Sequence, residues 1–161
     1  MYCGLVRTID SPKEMQEAAV ALKREGKRIG YVPTMGFLHE GHLSLMRIAR
    51  PKVDVLIASI FVNPTQFGPN EDFDGYPRDI EHDTRMCETV GVDIIFYPTP
   101  PEMYMDDHTV YITEQHFSMG LCGSSRPIHF RGVLTVVAKL FNVVQPDLAV
   151  FGQKDAQQFR L

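Results

Sequence analysis

Apolar positions fall in two rhythms along the chain. Short, nearly unbroken apolar runs at 5–9, 28–32, 53–62, 93–97 and 147–151 predict strands, and the longest, 53–62, has the pattern of a parallel strand covered on both faces. A brief alternation at 109–113 predicts one more strand. Between the runs, apolar residues recur at helical spacing. Met15, Ala18, Ala19 and Leu22 follow Ser11-Pro12, an N-cap and first-turn proline, and that helix closes at Gly26. Leu43, Leu45, Met46 and Ala49 form a second helix, ended by Pro51. Asp79 caps a third, which runs to Val90 before Gly91. Residues 128–144 form a long helix, apolar on most of its surface and therefore buried. Strands alternating with helices imply a doubly wound α/β fold with a parallel sheet.

In such a sheet, ligands lie beyond the carboxyl ends of the strands. The unusual residues of this chain cluster there. After the second strand comes Pro33-Thr34-Met35-Gly36-Phe37-Leu38-His39-Glu40-Gly41-His42. A helix starting at this turn would offer backbone N–H groups and partial positive charge to an anion. His39 and His42 are one helical turn apart, and Gly41 leaves room for close approach. The plain alternative is two surface histidines at a helix cap. Zinc held by both histidines and a distant ligand is a further alternative. The stretch is neither a Walker loop nor an HExxH zinc helix.

Three further segments carry polar groups to strand or helix ends. Asn63-Pro64-Thr65-Gln66-Phe67 opens a long loop, 63–77, whose amides suit the carboxylate and hydroxyl of a small polar substrate, or simply the turn backbone. Gly152-Gln153-Lys154-Asp155 follows the last strand; Lys154 is a candidate phosphate cation, or half of a local surface pair. Arg126 and His129 open the buried helix: the arginine suits a carboxylate or phosphate, and the histidine is a ligand group or a satisfied core residue. His82, His108 and His116 have no supporting context and are expected at the surface.

Composition narrows the field. The 161 residues suit one core, and a formal net charge of −4 gives no electrostatic case for nucleic acid or a membrane surface. Any phosphate site must be local. Cys3, Cys87 and Cys122 are odd in number and widely spaced, which points to a reducing, cytoplasmic setting rather than a disulfide framework. No apolar run approaches the ~20 residues of a membrane span, and the first residues do not form a signal peptide.

Five segments, PTMGFLHEGH at 33–42, SIFVNPTQF at 59–67, YPRD at 76–79, RPIHFRGVLTVVAKL at 126–140 and FGQKDAQQ at 151–158, resemble the pantoate–β-alanine ligase family in order and content. The resemblance implies a Rossmann-like domain of the class I nucleotidyltransferase (HxGH) type. It implies two steps: pantoate attacks the α-phosphorus of ATP to give pantoyl adenylate and pyrophosphate, then β-alanine displaces AMP to give pantothenate. ATP and Mg²⁺ are the implied cofactors, and a homodimer the implied assembly.

By the same resemblance Met35, Gly36, Phe37, Leu38, His39, Glu40, Gly41 and His42 bind ATP together with Gly152, Gln153, Lys154 and Asp155. His42, His39 and Lys154 are the catalytic set, and Asp155 is the metal contact. Gln66 and Gln158 hold pantoate, with Asn63, Tyr76, Arg126 and His129 around the same site. Family members are longer, with a smaller C-terminal domain that closes over the triphosphate. Residues 1–161 are therefore expected to be the N-terminal domain alone, weakly active or inactive by itself. Another adenylyl- or cytidylyltransferase of the same fold is one alternative, and a non-catalytic nucleotide- or pantoate-binding domain is another. The strand at 53–62 is a possible pairing edge for a dimer.

Overall fold

The computed structural model describes residues 6–69 and 71–161. Five parallel strands form one sheet: β1 (Arg7–Ile9), β2 (Ile29–Thr34), β3 (Val55–Ile60), β4 (Ile94–Phe96) and β5 (Leu148–Ala149), in spatial order β1-β4-β3-β2-β5. The helices are α1 (Pro12–Arg24), α2 (Glu40–Ala49), α3 (Ile80–Thr89), α4 (Pro100–Met103), α5 (Cys122–Ser125), α6 (His129–Val144) and α7 (Ala156–Arg160). The chain moves outward from β2 through β3 to β4, while β5 returns to the opposite side of β2. The sheet order therefore reverses between β2 and β5, where an open α/β sheet forms a crevice at its carboxyl ends.

The helix signals act as their chemistry requires. Ser11 Oγ accepts from the Glu14 N–H at 3.4 Å, with Pro12 in the first turn of α1. Asp79 Oδ1 accepts from the His82 N–H at 2.9 Å and caps α3. Two buried clusters cover the two faces of the sheet. One joins Met15 and Ala19 of α1 and Val136, Leu140 and Val144 of α6 to Ile9, Tyr31, Ile57 and Phe96. The other joins Leu43 and Met46 of α2 and Cys87 of α3 to Val32, Leu56, Ala58 and Ile95. This two-faced burial is why β3 is apolar almost throughout.

The expected strand at 53–62 is trimmed to Val55–Ile60, and it lies between β2 and β4, pairing with both. It has no free edge, so it is not a dimer edge. The strand expected at 5–9 is β1, Arg7–Ile9, with Leu5 outside the described residues. Residues 109–113 are not a strand. Their alternating side chains run over α6 instead: the Ile112 N–H donates to Thr135 Oγ1 at 3.0 Å, and the Arg131 guanidinium lies 4.6 Å from the Tyr111 ring. His108 is likewise not free at the surface. Its ring packs between Tyr104 and Tyr111, 5.0 and 4.9 Å away.

Candidate active site

The chain leaves β2 through Met35 and Gly36 and enters α2 at a cap built by two histidines. Nδ1 of His39 accepts from the Gly41 N–H at 3.1 Å, and Nδ1 of His42 accepts from the His39 N–H at 3.3 Å. The rings lie 4.1 Å apart. An accepting Nδ1 bears no proton, so each neutral ring carries its proton on Nε2. The helix start thus differs from the bare N–H groups expected from sequence. His39 consumes the Gly41 N–H and His42 the His39 N–H, and the two imidazole Nε2–H groups are donors available to an anion. Partial burial, then the charges of His39 and Lys154, hold the His42 pKa below its ordinary value. A neutral donor is therefore the resting form.

Both histidines line an open cleft of about 470 Å³ at the carboxyl ends of the strands. Lys154, Asp155 and Gln158, delivered by the turn after β5 and by α7, line the same cleft, as do Met35, Asn63, Gln66, Tyr76, Arg126 and His129. The remaining expected residues stand off it. Gly36 packs on Ile60 and Asp83, Leu38 is buried in the core, and Glu40 pairs outward with Arg47. Phe37 is exposed. Gly41 sits under the His39 ring, and Gly152 and Gln153 belong to the turn behind Lys154.

The amide wall is rigid. Asn63, only 1% exposed, donates to Gln66 Oε1 and to the Gly132 carbonyl, each at 3.1 Å. Its oxygen accepts from Tyr104 at 2.8 Å and from the Thr65 hydroxyl at 3.0 Å. With both ends engaged, Asn63 positions the Pro64–Gln66 turn, while Gln66 Nε2, 3.1 Å from the Met35 sulfur, stays on the cleft side. Helix α6 comes so close to this turn that a Cβ on Gly132 would lie 2.3 Å from the Thr65 carbonyl oxygen.

Arg126 is committed to Glu71. Its Nη2 donates to Glu71 Oε2 at 2.9 Å, a second contact runs through Nε, and the pairing holds the Glu71 pKa down to about 2. His129 Nδ1 lies 3.1 Å from the Gln66 carbonyl oxygen and must donate to it, which leaves Nε2 to accept from Arg126 at 3.3 Å. Burial lowers the His129 pKa. The pair therefore pins loop 63–77 to the start of α6.

Lys154 is an exposed cation of the cleft, its side chain 82% exposed and 3.2 Å from Asp155 Oδ1. Asp83 was missed from sequence. It is 1% exposed and accepts from the Phe37 and Leu38 N–H groups at 2.8 and 2.7 Å. Its signal was a carboxylate on the apolar face of α3, four residues before buried Cys87. Gln157 was also missed: its Oε1 accepts from the Cys122 N–H and its amide donates to the Phe117 and Gly120 carbonyls.

A family profile described as pantoate-beta-alanine ligase matches residues 7–161. The chain belongs to the pantoate–β-alanine ligase family. A pantothenate synthetase from Fervidobacterium nodosum is 58% identical over 157 residues, 98% of this chain and 55% of the relative. One from Thermotoga petrophila is 56% identical over 97% of this chain. The crystal structure of pantothenate synthetase from Thermus thermophilus superimposes with a TM-score of 0.88 at 46% identity, covering 95% of this chain and 54% of that one. Pantoate-beta-alanine ligase from Francisella tularensis, solved with Beta-gamma ATP and beta-alanine, gives 0.89 at 39% identity, covering 96% and 59%. The α/β parallel fold is thus that of known ligases of this family. The chain spans about 55% of the length of the curated relatives it matches. Among the described residues no helix is long and apolar enough to cross a membrane.

Proposed function

We propose that this chain forms the nucleotide- and pantoate-binding part of an ATP-dependent pantoate–β-alanine ligase. A pantoate carboxylate oxygen attacks the α-phosphorus of ATP and the bond to the bridging oxygen of pyrophosphate breaks, leaving pantoyl adenylate. The β-alanine amine then attacks the acyl carbon, loses a proton, and AMP leaves with the carbon–oxygen bond pair. The observation that carries the reading is the single cleft that joins His39, His42 and Lys154 to Gln66 and Gln158. Cationic and N–H donors in it suit phosphate, and the neutral amides beside them suit a small hydroxy acid.

The Nε2–H groups of His39 and His42 donate to phosphate oxygens as charge shifts to the leaving group, and Lys154 follows the same charge. Met35 joins the two histidines and Lys154 on the nucleotide side, while Gly36, Phe37, Leu38, Gly41, Gly152 and Gln153 shape the turns that carry them. Gln66 and Gln158 orient pantoate, with Tyr76, Arg126 and His129 shaping the pocket around it. The Francisella tularensis ligase, solved with Beta-gamma ATP and beta-alanine, supports the choice of these substrates.

Mg²⁺ fits the donor set. Asp155 is a half-exposed carboxylate on the cleft, and among the described residues no group of three or more metal-ligating side chains forms a cage. Mg²⁺ is ordinarily held by one or two carboxylates and substrate phosphates. Asp155 would hold it, and the ion would neutralise phosphate charge. The free thiols of Cys87, buried and pushed up to about 12, and of exposed Cys122 suit the cytoplasm. The assembly we infer is a homodimer, on the family resemblance.

Pantoate-dependent exchange of labelled pyrophosphate into ATP tests the adenylation step. We expect little exchange from the 161-residue chain alone and clear exchange when it is extended to the length of its relatives, because a further domain would close over the triphosphate. Absence of exchange in both, with both folded, would replace the ligase reading with a non-catalytic nucleotide-binding domain. Robust pantothenate synthesis by the short chain would overturn the N-terminal-part assignment.

A further inference from the structure

Asp83 takes part in none of the steps above, yet it is almost wholly buried against the histidine turn. A buried carboxylate persists only where hydrogen bonds satisfy it. Each oxygen here takes one backbone N–H from across the fold: Oδ2 from Phe37 at 2.8 Å and Oδ1 from Leu38 at 2.7 Å, with His82 Nδ1 3.2 Å from Oδ1. Asp83 does nothing for the start of its own helix, because Asp79 caps α3.

The bridged segment needs holding. Phe37 has φ +50°, a left-handed conformation that an ordinary side chain keeps only where its surroundings enforce it. Gly36 precedes it at φ +87°, and a Cβ there would come within 3.0 Å of Asp83 Oδ2 and 2.9 Å of Ile60 Cγ2. At the other end of the turn, Thr34 Oγ1 accepts from the Gly36 N–H at 3.2 Å and donates to the Ser59 carbonyl at 2.7 Å. The turn is therefore fastened to β3 on one side and to α3 on the other, and the histidine cap begins one residue beyond Leu38.

We propose that Asp83 is the positioning residue of the histidine turn: its carboxylate bridges the Phe37 and Leu38 N–H groups and so fixes where the His39 and His42 Nε2–H donors stand against the nucleotide phosphates. This rests on the adenylation reading. Asp83 touches neither substrate nor either imidazole that would donate to phosphate. It acts through the backbone of the two residues that precede His39.

Asp83→Asn tests it in the intact protein. The amide is isosteric, but its NH₂ meets one of the two N–H groups head-on, so one bridge is lost. We expect the rate of pantoate-dependent pyrophosphate exchange to fall by about 10–10²-fold and KM for ATP to rise. KM for pantoate stays within about twofold, because Gln66 and Gln158 sit on other elements. Nitrogen-15 spectra of the histidines give a readout independent of activity. The unsubstituted protein shows Nε2–H tautomers at His39 and His42, and the variant a mixture. Wild-type exchange kinetics with unchanged histidine spectra would overturn the proposal. Absence of exchange in the unsubstituted protein would sink the adenylation reading alone, since the spectra still test the bridge. Should Asp83→Asn not fold, amide protection in the unsubstituted protein decides: slow exchange of the Phe37 and Leu38 amides supports the bridge, and rapid exchange of both overturns it.

Discussion

The His39 N–H donates to Nδ1 of His42 at 3.3 Å, so the first histidine of the turn dictates which nitrogen of the second carries the proton. A proton added to His42 Nδ1 would be set against that N–H. The cap would open, and the donor aimed at the cleft would lose its anchor. The geometry therefore needs a neutral His42, and burial together with the neighbouring His39 and Lys154 charges favours it.

A pH dependence of stability follows. The His42 and His129 pKa values both lie below the ordinary 6.5, chiefly through burial. Between those lowered values and about 6.5 the unfolded chain binds more protons than the folded one, so stability rises with pH through that window. It is complete above the window and lost as pH falls below it. Urea midpoints measured from about pH 7.5 to 5.5 should decline at the acid end, and His42→Gln should flatten part of the decline. A midpoint constant across this range would mean that both rings accept protons in place.

Gly132→Ala should separate packing from polarity. Its Cβ would lie 2.3 Å from the Thr65 carbonyl oxygen and 2.5 Å from the Gln66 nitrogen, both backbone atoms that cannot swing aside. Overpacking of this kind costs about 1–3 kcal/mol. Helix α6 or the Pro64–Gln66 turn must shift, carrying Gln66 with it. We expect a lower Tm and a KM for pantoate raised more than that for ATP. Equal changes in both constants would argue against Gln66 as a pantoate contact.

Asn63 and Gln158 are predicted to differ although both face the cleft. Asn63→Ala removes the hydrogen bonds that tie Tyr104, Gln66 and the Gly132 carbonyl together, each worth about 0.5–1.5 kcal/mol. Its main effect should be thermal. Gln158, half-buried on the short helix α7, should leave Tm nearly unchanged on conversion to alanine and raise KM for pantoate. Thermal scans beside exchange kinetics check both, and a thermally silent Asn63→Ala would contradict its scaffold role.

Much of this architecture was legible in the chain because its determinants are local. Ser11, Pro12 and Asp79 mark helix starts through their own backbone neighbours, and the unbroken apolar run of β3 betrays two covered faces. The histidine turn was legible because it sits between a strand and a helix pattern. Asp83 was not, since its partners lie 45 and 46 residues away and only the fold brings them together. The 109–113 segment misled for a related reason. Alternation implies one covered face, yet Val110, Tyr111 and Ile112 stay exposed beside α6, touching it only through Thr135 and Arg131. Sequence also could not tell that the Asn63 amide is saturated by Tyr104, Thr65, Gln66 and Gly132.

Lys154 supplies the cleanest division between stability and function. It is 82% exposed and its partner is the adjacent Asp155, so its loss removes little that holds the fold together. It lines the same cleft as the two imidazoles, where triphosphate charge would have to be met. Lys154→Ala should therefore leave Tm unchanged while raising KM for ATP and slowing exchange. Lys154→Arg keeps the charge but carries it on a larger, planar group with a different reach, and should recover binding more than rate. Because an exposed cation acts through a screened field, the unsubstituted protein should lose ATP affinity with added salt more steeply than Lys154→Ala does. Parallel salt dependences for the two proteins would mean that Lys154 is a bystander on the rim, and that the phosphate charge is met by the histidine turn alone.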